Sequence, residues 1–124
     1  ISVTARISRE PKEEVAMMFN FSTNPEQADT LLASALDLLR DIASNGITAE
    51  EFARAQNNLQ KQHADYRKAN AFWLSAISER VRHDSSDMLE YEKALKQVKP
   101  ADVKKLARLL SKSTNTVEVI MDGI

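Results

Sequence analysis

Val3, Ala5 and Ile7 alternate with Thr4 and Arg6 near the start of the chain, the period of two expected of a half-buried strand. A second run, Glu14 to Ser22, sets Val15, Met17, Phe19 and Phe21 on one face and Ala16, Met18 and Asn20 on the other. The charged connection Arg9 to Glu13 holds Pro11, which stops pairing. The two runs are therefore expected to form an antiparallel hairpin. After Pro25 the period changes. Leu31, Leu32, Ala35, Leu36, Leu38, Leu39 and Ile42 form a wide apolar stripe at helical spacing. Thr23 or Asn24 is placed to cap this helix, and Pro25 suits its first position. A helix of this length is expected to lie across the sheet.

The chain is organised around the stretch from Asn45 to Leu74. Asn45-Gly46 is a helix stop, because glycine takes the left-handed conformation without penalty. Thr48 and Glu51 have capping-box spacing. Phe52, Ala55, Leu59, His63 and Tyr66 then mark one buried face. Asn70 reads as a second cap, with Phe72, Trp73, Ile77 and Val81 as the apolar face behind it. Trp73, the single tryptophan, is expected in the core. Arg82 to Asp87 is a polar break, and Ser86 is placed to cap a helix carrying Leu89, Tyr91 or Glu92, Leu95 and Val98. Pro100 opens a last helix whose buried face is Val103, Leu106, Ala107 and Leu110. Val117 to Met121 reads as a third strand. The expected fold is α+β: a small antiparallel sheet of two N-terminal strands and one C-terminal strand, with about five helices packed mainly on one face. Residues 1–124 read as one partial domain.

Composition removes several classes of function. Lysine and arginine total 17 against 18 acids, a net charge of −1, which provides no general attraction to nucleic acid or anionic membrane. There is no cysteine, so disulfides and thiolate metal sites are excluded. No apolar run reaches the roughly 18 residues that a membrane span needs. The opening at Ile1, in strand-like sequence and without methionine, reads as a processing or cloning boundary.

The candidate chemistry is sparse. His63 and His83 lie twenty residues apart, without an HxxEH or HExxH pattern. His63 falls on the apolar stripe and reads as a packed, hydrogen-bonded core histidine. His83-Asp84 with Asp87 reads as a solvated turn rather than a metal site. Glu50-Glu51 is explained by capping and the helix dipole, and Glu13-Glu14 by protection of a hairpin edge. Ser34, Ser75 and Ser78 lack the histidine context of a nucleophile. Gly46 and Gly123, the only glycines, do not form a phosphate loop. Lys104, Lys105 and Arg108 read as a solvated face, and Met17-Met18 as packing.

The order of segments then carries a resemblance. Arg9-Glu10-Pro11-Lys12 is followed by the aromatic strand Met17 to Ser22, and Asn24-Pro25-Glu26 opens a long helix. Gly46-Ile47-Thr48-Ala49-Glu50-Glu51, Asn70-Ala71-Phe72-Trp73-Leu74, Glu90-Tyr91-Glu92 and Val98-Lys99-Pro100-Ala101-Asp102-Val103 follow in turn. Over nearly its whole length the chain resembles the carboxy-terminal, noncatalytic domain of insulinase/pitrilysin zinc metallopeptidases, most nearly the bacterial processing-peptidase-like branch.

That resemblance implies a clamshell of two homologous halves around a chamber for unfolded peptide. Zinc would be bound by an HxxEH motif in the N-terminal half. No zinc ligand or other cofactor site carries over to this fragment, and no catalytic residue does. The family's substrate-holding arginine and tyrosine would lie upstream of Ile1, so the substrate-binding residues here are unknown. The implied role is part of the chamber wall. The implied partners are the N-terminal half of the same protein or a partner subunit, and peptide substrate. Self-association of the fragment is expected, with no nucleic acid and no membrane. The bacterial periplasm or cell envelope is favoured over the cytoplasm. Two other readings stand beside this one: an inactive structural homologue like the core subunits of respiratory complexes, and a helical protein-interaction module.

Overall fold

The structure is a computed structural model in which residues 1–121 are described. Strands β1 (Ser2–Ser8) and β2 (Glu14–Asn20) pair antiparallel, from Ser2 opposite Asn20 to Ser8 opposite Glu14. A single 3-10 turn, Pro25–Gln27, leads into α1 (Ala28–Asn45). Helices α2 (Ala49–Tyr66), α3 (Asn70–His83), α4 (Asp87–Gln97) and α5 (Pro100–Ser111) follow. The α+β class, the antiparallel hairpin and the five helices agree with the sequence pattern.

The third strand does not form among the described residues. The sheet is two-stranded, and Val117, Val119, Ile120 and Met121 lie exposed in irregular chain. An alternating pattern makes a strand only when a neighbouring backbone completes its hydrogen bonds, and this segment meets none. The helical cover of the sheet is also partial. Met17, Phe19 and Phe21 are half-buried while Met18 is exposed, so one face is favoured. At the far end of that face, the paired residues Ile7 and Val15 are both exposed. Helix α1 packs chiefly against α5 rather than across the sheet. The hairpin is tied to the helices through its turn, where Arg9 donates to Ser85 Oγ at 3.2 Å and pairs with Asp87.

Local chemistry explains most helix boundaries. Gly46 closes α1 at φ 81°, and its N–H donates to the Ile42 carbonyl at 2.9 Å. Thr48 caps α2: its hydroxyl accepts from the Glu51 N–H at 3.2 Å, and its own N–H donates to the Glu51 carboxylate at 2.8 Å. Pro100 opens α5, while Asp102 reaches back to the Lys99 N–H at 2.8 Å. Three expected side-chain caps fail. Asn24 occupies the cap position of the 3-10 turn, but its side chain makes no cap bond, and Thr23 does not cap it either. Ala69, not Asn70, occupies the cap position of α3, and no side chain caps that helix. At α4 the Asp87 N–H is taken by Ser85 Oγ rather than by Ser86.

Buried residues mark two packing centres. Ala43 and Ala107 are buried where α1 meets α5, and the small side chains allow close approach. Arg108 Nε donates to the Ala43 carbonyl at 2.9 Å across the same contact. The second centre gathers His63, Phe72, Ala76 and Leu95 on α2, α3 and α4. Gln56 joins α2 to α4 by donating to the Leu95 carbonyl at 2.8 Å.

Helix α3 corrects the expected core. Phe72 is 1% exposed, but its neighbour Trp73 is 43% exposed. The Trp73 indole N–H donates to the Arg67 carbonyl at 2.9 Å, and the Arg67 guanidinium lies 5.6 Å from the ring centroid. Trp73 therefore closes the chain reversal between α2 and α3. Helix α3 docks through Phe72 and Ala76, one turn apart, which turns Ile77 and Val81 outward. On the other helices, Leu95 is buried while Leu89, Val98 and Leu106 remain exposed. Ala55 is exposed too, and Gln56 takes the inward position beside it.

Candidate functional site

A concavity of mainly apolar character lies among the described residues. It is a cleft of about 380 Å³ between α2, α3 and α4, lined by Leu59, Gln62, His63, Tyr66, Phe72, Met88 and Tyr91. Its construction follows from helical periodicity. Leu59, Gln62, His63 and Tyr66 stand at i, i+3, i+4 and i+7 on α2, and so share a face. The reversal at Arg67–Ala69 brings Phe72, in the first turn of α3, back against them. Met88 and Tyr91, three residues apart, project from α4.

The rings lock one another. Phe72 meets His63 edge-on at 5.6 Å between centroids and Tyr66 edge-on at 5.3 Å. Tyr91 lies tilted over the imidazole at 4.7 Å. Edge-to-face geometry places the positive rim of one ring on the negative face of another. His63 is 9% exposed, and its Nε2 is buried without a hydrogen-bond partner. The expectation of a core histidine holds for its burial and fails for its hydrogen bonding. No cleft-lining side chain is a carboxylate, lysine or arginine.

The other candidates are scattered. His83 Nδ1 approaches the Glu10 carboxylate at 3.7 Å, and Asp87 is held by Arg9. Asp84 ends α3 in the left-handed region at φ 49°, and Arg80 approaches its carboxylate at 3.5 Å. Among the described residues no group of three or more histidine or acidic side chains is gathered to hold a metal ion. Glu50 pairs with Arg54 at 2.8 Å. Hydrogen bonds from the Thr48 backbone N–H and then its hydroxyl hold the Glu51 carboxyl below the usual glutamate range. Glu13 and Glu14 are exposed at the hairpin end. Ser34 Oγ donates to the Thr30 carbonyl at 2.8 Å within its own helix. Ser75 and Ser78 stand on α3 away from the cleft lining. Lys104 passes beside Gly46, Arg108 bonds α1, and Gly123 lies outside the described residues.

Met88 and Tyr91 as cleft walls were not read from the sequence. Their spacing of three after a polar break was the available signal, but it could not show that α4 folds back onto α2.

Residues 2–59, a little under half of the chain, match the family model described as Peptidase M16 inactive domain. This segment is similar to the inactive domain of the M16 peptidases. The likeness to a noncatalytic insulinase/pitrilysin-type domain is thereby borne out over the hairpin, α1 and the first part of α2. No curated protein and no solved structure matches the chain. The M16 segment ends at Leu59, the first residue of the cleft, so most of the cleft is built from sequence beyond the match.

Proposed function

We propose that this chain is a noncatalytic carboxy-terminal portion of an M16-type zinc metalloprotease, forming part of the wall of a chamber that holds unfolded peptide. The observation that carries the proposal is the match of the hairpin and first helices to an inactive M16 domain. Zinc and the hydrolytic chemistry belong, in this reading, to the N-terminal half of the same protein or to a partner subunit. The bare apolar residues of the hairpin, Ile7, Val15 and Met18, supply surface for that partner or for peptide.

The test uses the full parent protein. A photoreactive amino acid at Met18 should cross-link to the N-terminal half or to an unfolded peptide, and the parent should cleave that peptide with zinc bound. Cross-links to the N-terminal half without peptidase activity would support the inactive structural homologue instead. Absence of any such cross-link would remove the chamber-wall role.

A further inference from the structure

We propose that the cleft between α2, α3 and α4 is a binding pocket for a tyrosine side chain of a bound peptide. The starting point is His63. A buried polar atom without a partner loses the hydrogen bond it had in water, and such atoms are uncommon in folded proteins. Nε2 of His63 is one, and its ring lines the cleft. The ring above it belongs to Tyr91, which is 36% exposed. Exposed side chains change rotamer in picoseconds to nanoseconds, so Tyr91 can swing and uncover the imidazole for an entering group.

Three properties narrow the occupant. Tyr66 and Tyr91 present ring faces and edges with Phe72 enclosed behind them, and Met88 adds a polarisable sulfur, a lining that favours an aromatic guest. With no carboxylate, lysine or arginine in the lining, a charged guest would find no fixed counter-charge to offset its desolvation. An imidazole nitrogen donates when it carries hydrogen and accepts when it does not, and a hydroxyl can answer either. A neutral aromatic ring bearing a hydroxyl meets all three conditions, and in a peptide that group is tyrosine. The volume, about 380 Å³, is at the small end for ligand sites, as suits one side chain.

This inference deepens the chamber-wall reading, resting on it only for the source of the side chain. The pocket is therefore tested with single amino-acid amides on this chain, without the rest of any protease. N-acetyl-L-tyrosinamide and N-acetyl-L-phenylalaninamide are titrated while the His63 ring nitrogens are followed by long-range proton–nitrogen NMR. The tyrosine amide should shift the Nε2 resonance and bind about three- to tenfold more tightly than the phenylalanine amide, the difference of one hydrogen bond. His63→Phe should bring that ratio close to one while phenylalanine amide still binds. If the variant does not fold, the Nε2 shift and the affinity ratio of the unaltered chain decide. Equal affinities, an unshifted His63 ring or no saturable binding would overturn the pocket. Binding of p-cresol without the tyrosine amide would overturn the peptide source. Failure of the parent cross-linking with intact tyrosine-amide binding would sink the chamber wall and leave the pocket standing.

Discussion

Adjacent aromatic residues on α3 have opposite fates. Phe72 is enclosed by His63, Tyr66 and Trp73, so Phe72→Ala should cost about 3–5 kcal/mol. That is comparable with the whole stability of a small domain. Trp73 loses less of its surface and uses its indole N–H on the Arg67 carbonyl. Trp73→Ala should therefore destabilise by less than half as much. Paired urea denaturation curves check both, and equal losses would mean that Trp73 is core after all. Glu51 makes a pH-dependent contribution of defined sign. Its folded-state carboxyl is more acidic than in the unfolded chain because Thr48 donates to the carboxylate. The stabilisation is complete above the ordinary glutamate pKa, and it disappears as pH falls through the lowered folded value. Melting temperatures of the unaltered chain and Glu51→Gln should differ at neutral pH and converge in acid. A gap that stays constant down to pH 2 would contradict the capping assignment.

The contact of α1 with α5 is made by small side chains. Ala43 and Ala107 are both buried there, and Arg108 bonds the Ala43 carbonyl beside them. Enlarging either residue forces the helices apart, and overpacking of this kind costs about 1–3 kcal/mol. Ala107→Leu should lower the midpoint of chemical denaturation accordingly. Ala101→Leu, at an exposed position of the same helix, should have almost no effect and serves as control. If both substitutions are neutral, the two helices do not meet through these residues. Helix α2 was the most legible element in the sequence, because its start is a capping box and both partners lie three residues apart. Helix α3 was less legible: Phe72, Trp73, Ile77 and Val81 have helical spacing, and nothing in the spacing ranks Ala76 above Ile77 as the docking residue. Only the path of the reversal at Arg67–Ala69 makes that choice.

At the scale of the molecule, the outward apolar groups are more numerous than the buried ones. Ile7, Val15 and Met18 on the hairpin and Leu74, Ile77 and Val81 on α3 all lie open, with Val81 79% exposed. Apolar surface of this kind drives association. Among the described residues, each strand of the two-stranded sheet also has an unpaired edge. Light scattering should show a mass above that of one chain, rising with concentration. Ile77→Lys with Val81→Lys should lower it if the α3 stripe is the contact, and Met18→Lys if the hairpin is. A strictly monomeric mass at millimolar concentration would show that these residues do not self-associate.

Local rules decided what is written locally. The two hairpin strands follow from alternation, the α1 stop from Gly46, the α2 start from Thr48 and Glu51, and the α5 start from Pro100. Each of these depends on residues within a few positions of one another, and the short-range hydrogen bonds and steric limits involved need no distant partner. Tertiary structure decided the rest. Val117 to Met121 alternates like a strand yet finds no backbone to pair with among the described residues. Trp73 reads as core yet closes a turn. His63 was visible as a buried position from its place on the α2 stripe. Its missing hydrogen bond, and the ring of Tyr91 above it, exist only because α4 returns across α2. Such contacts join residues far apart in the chain, and a pattern that records spacing along one helix contains no term for them.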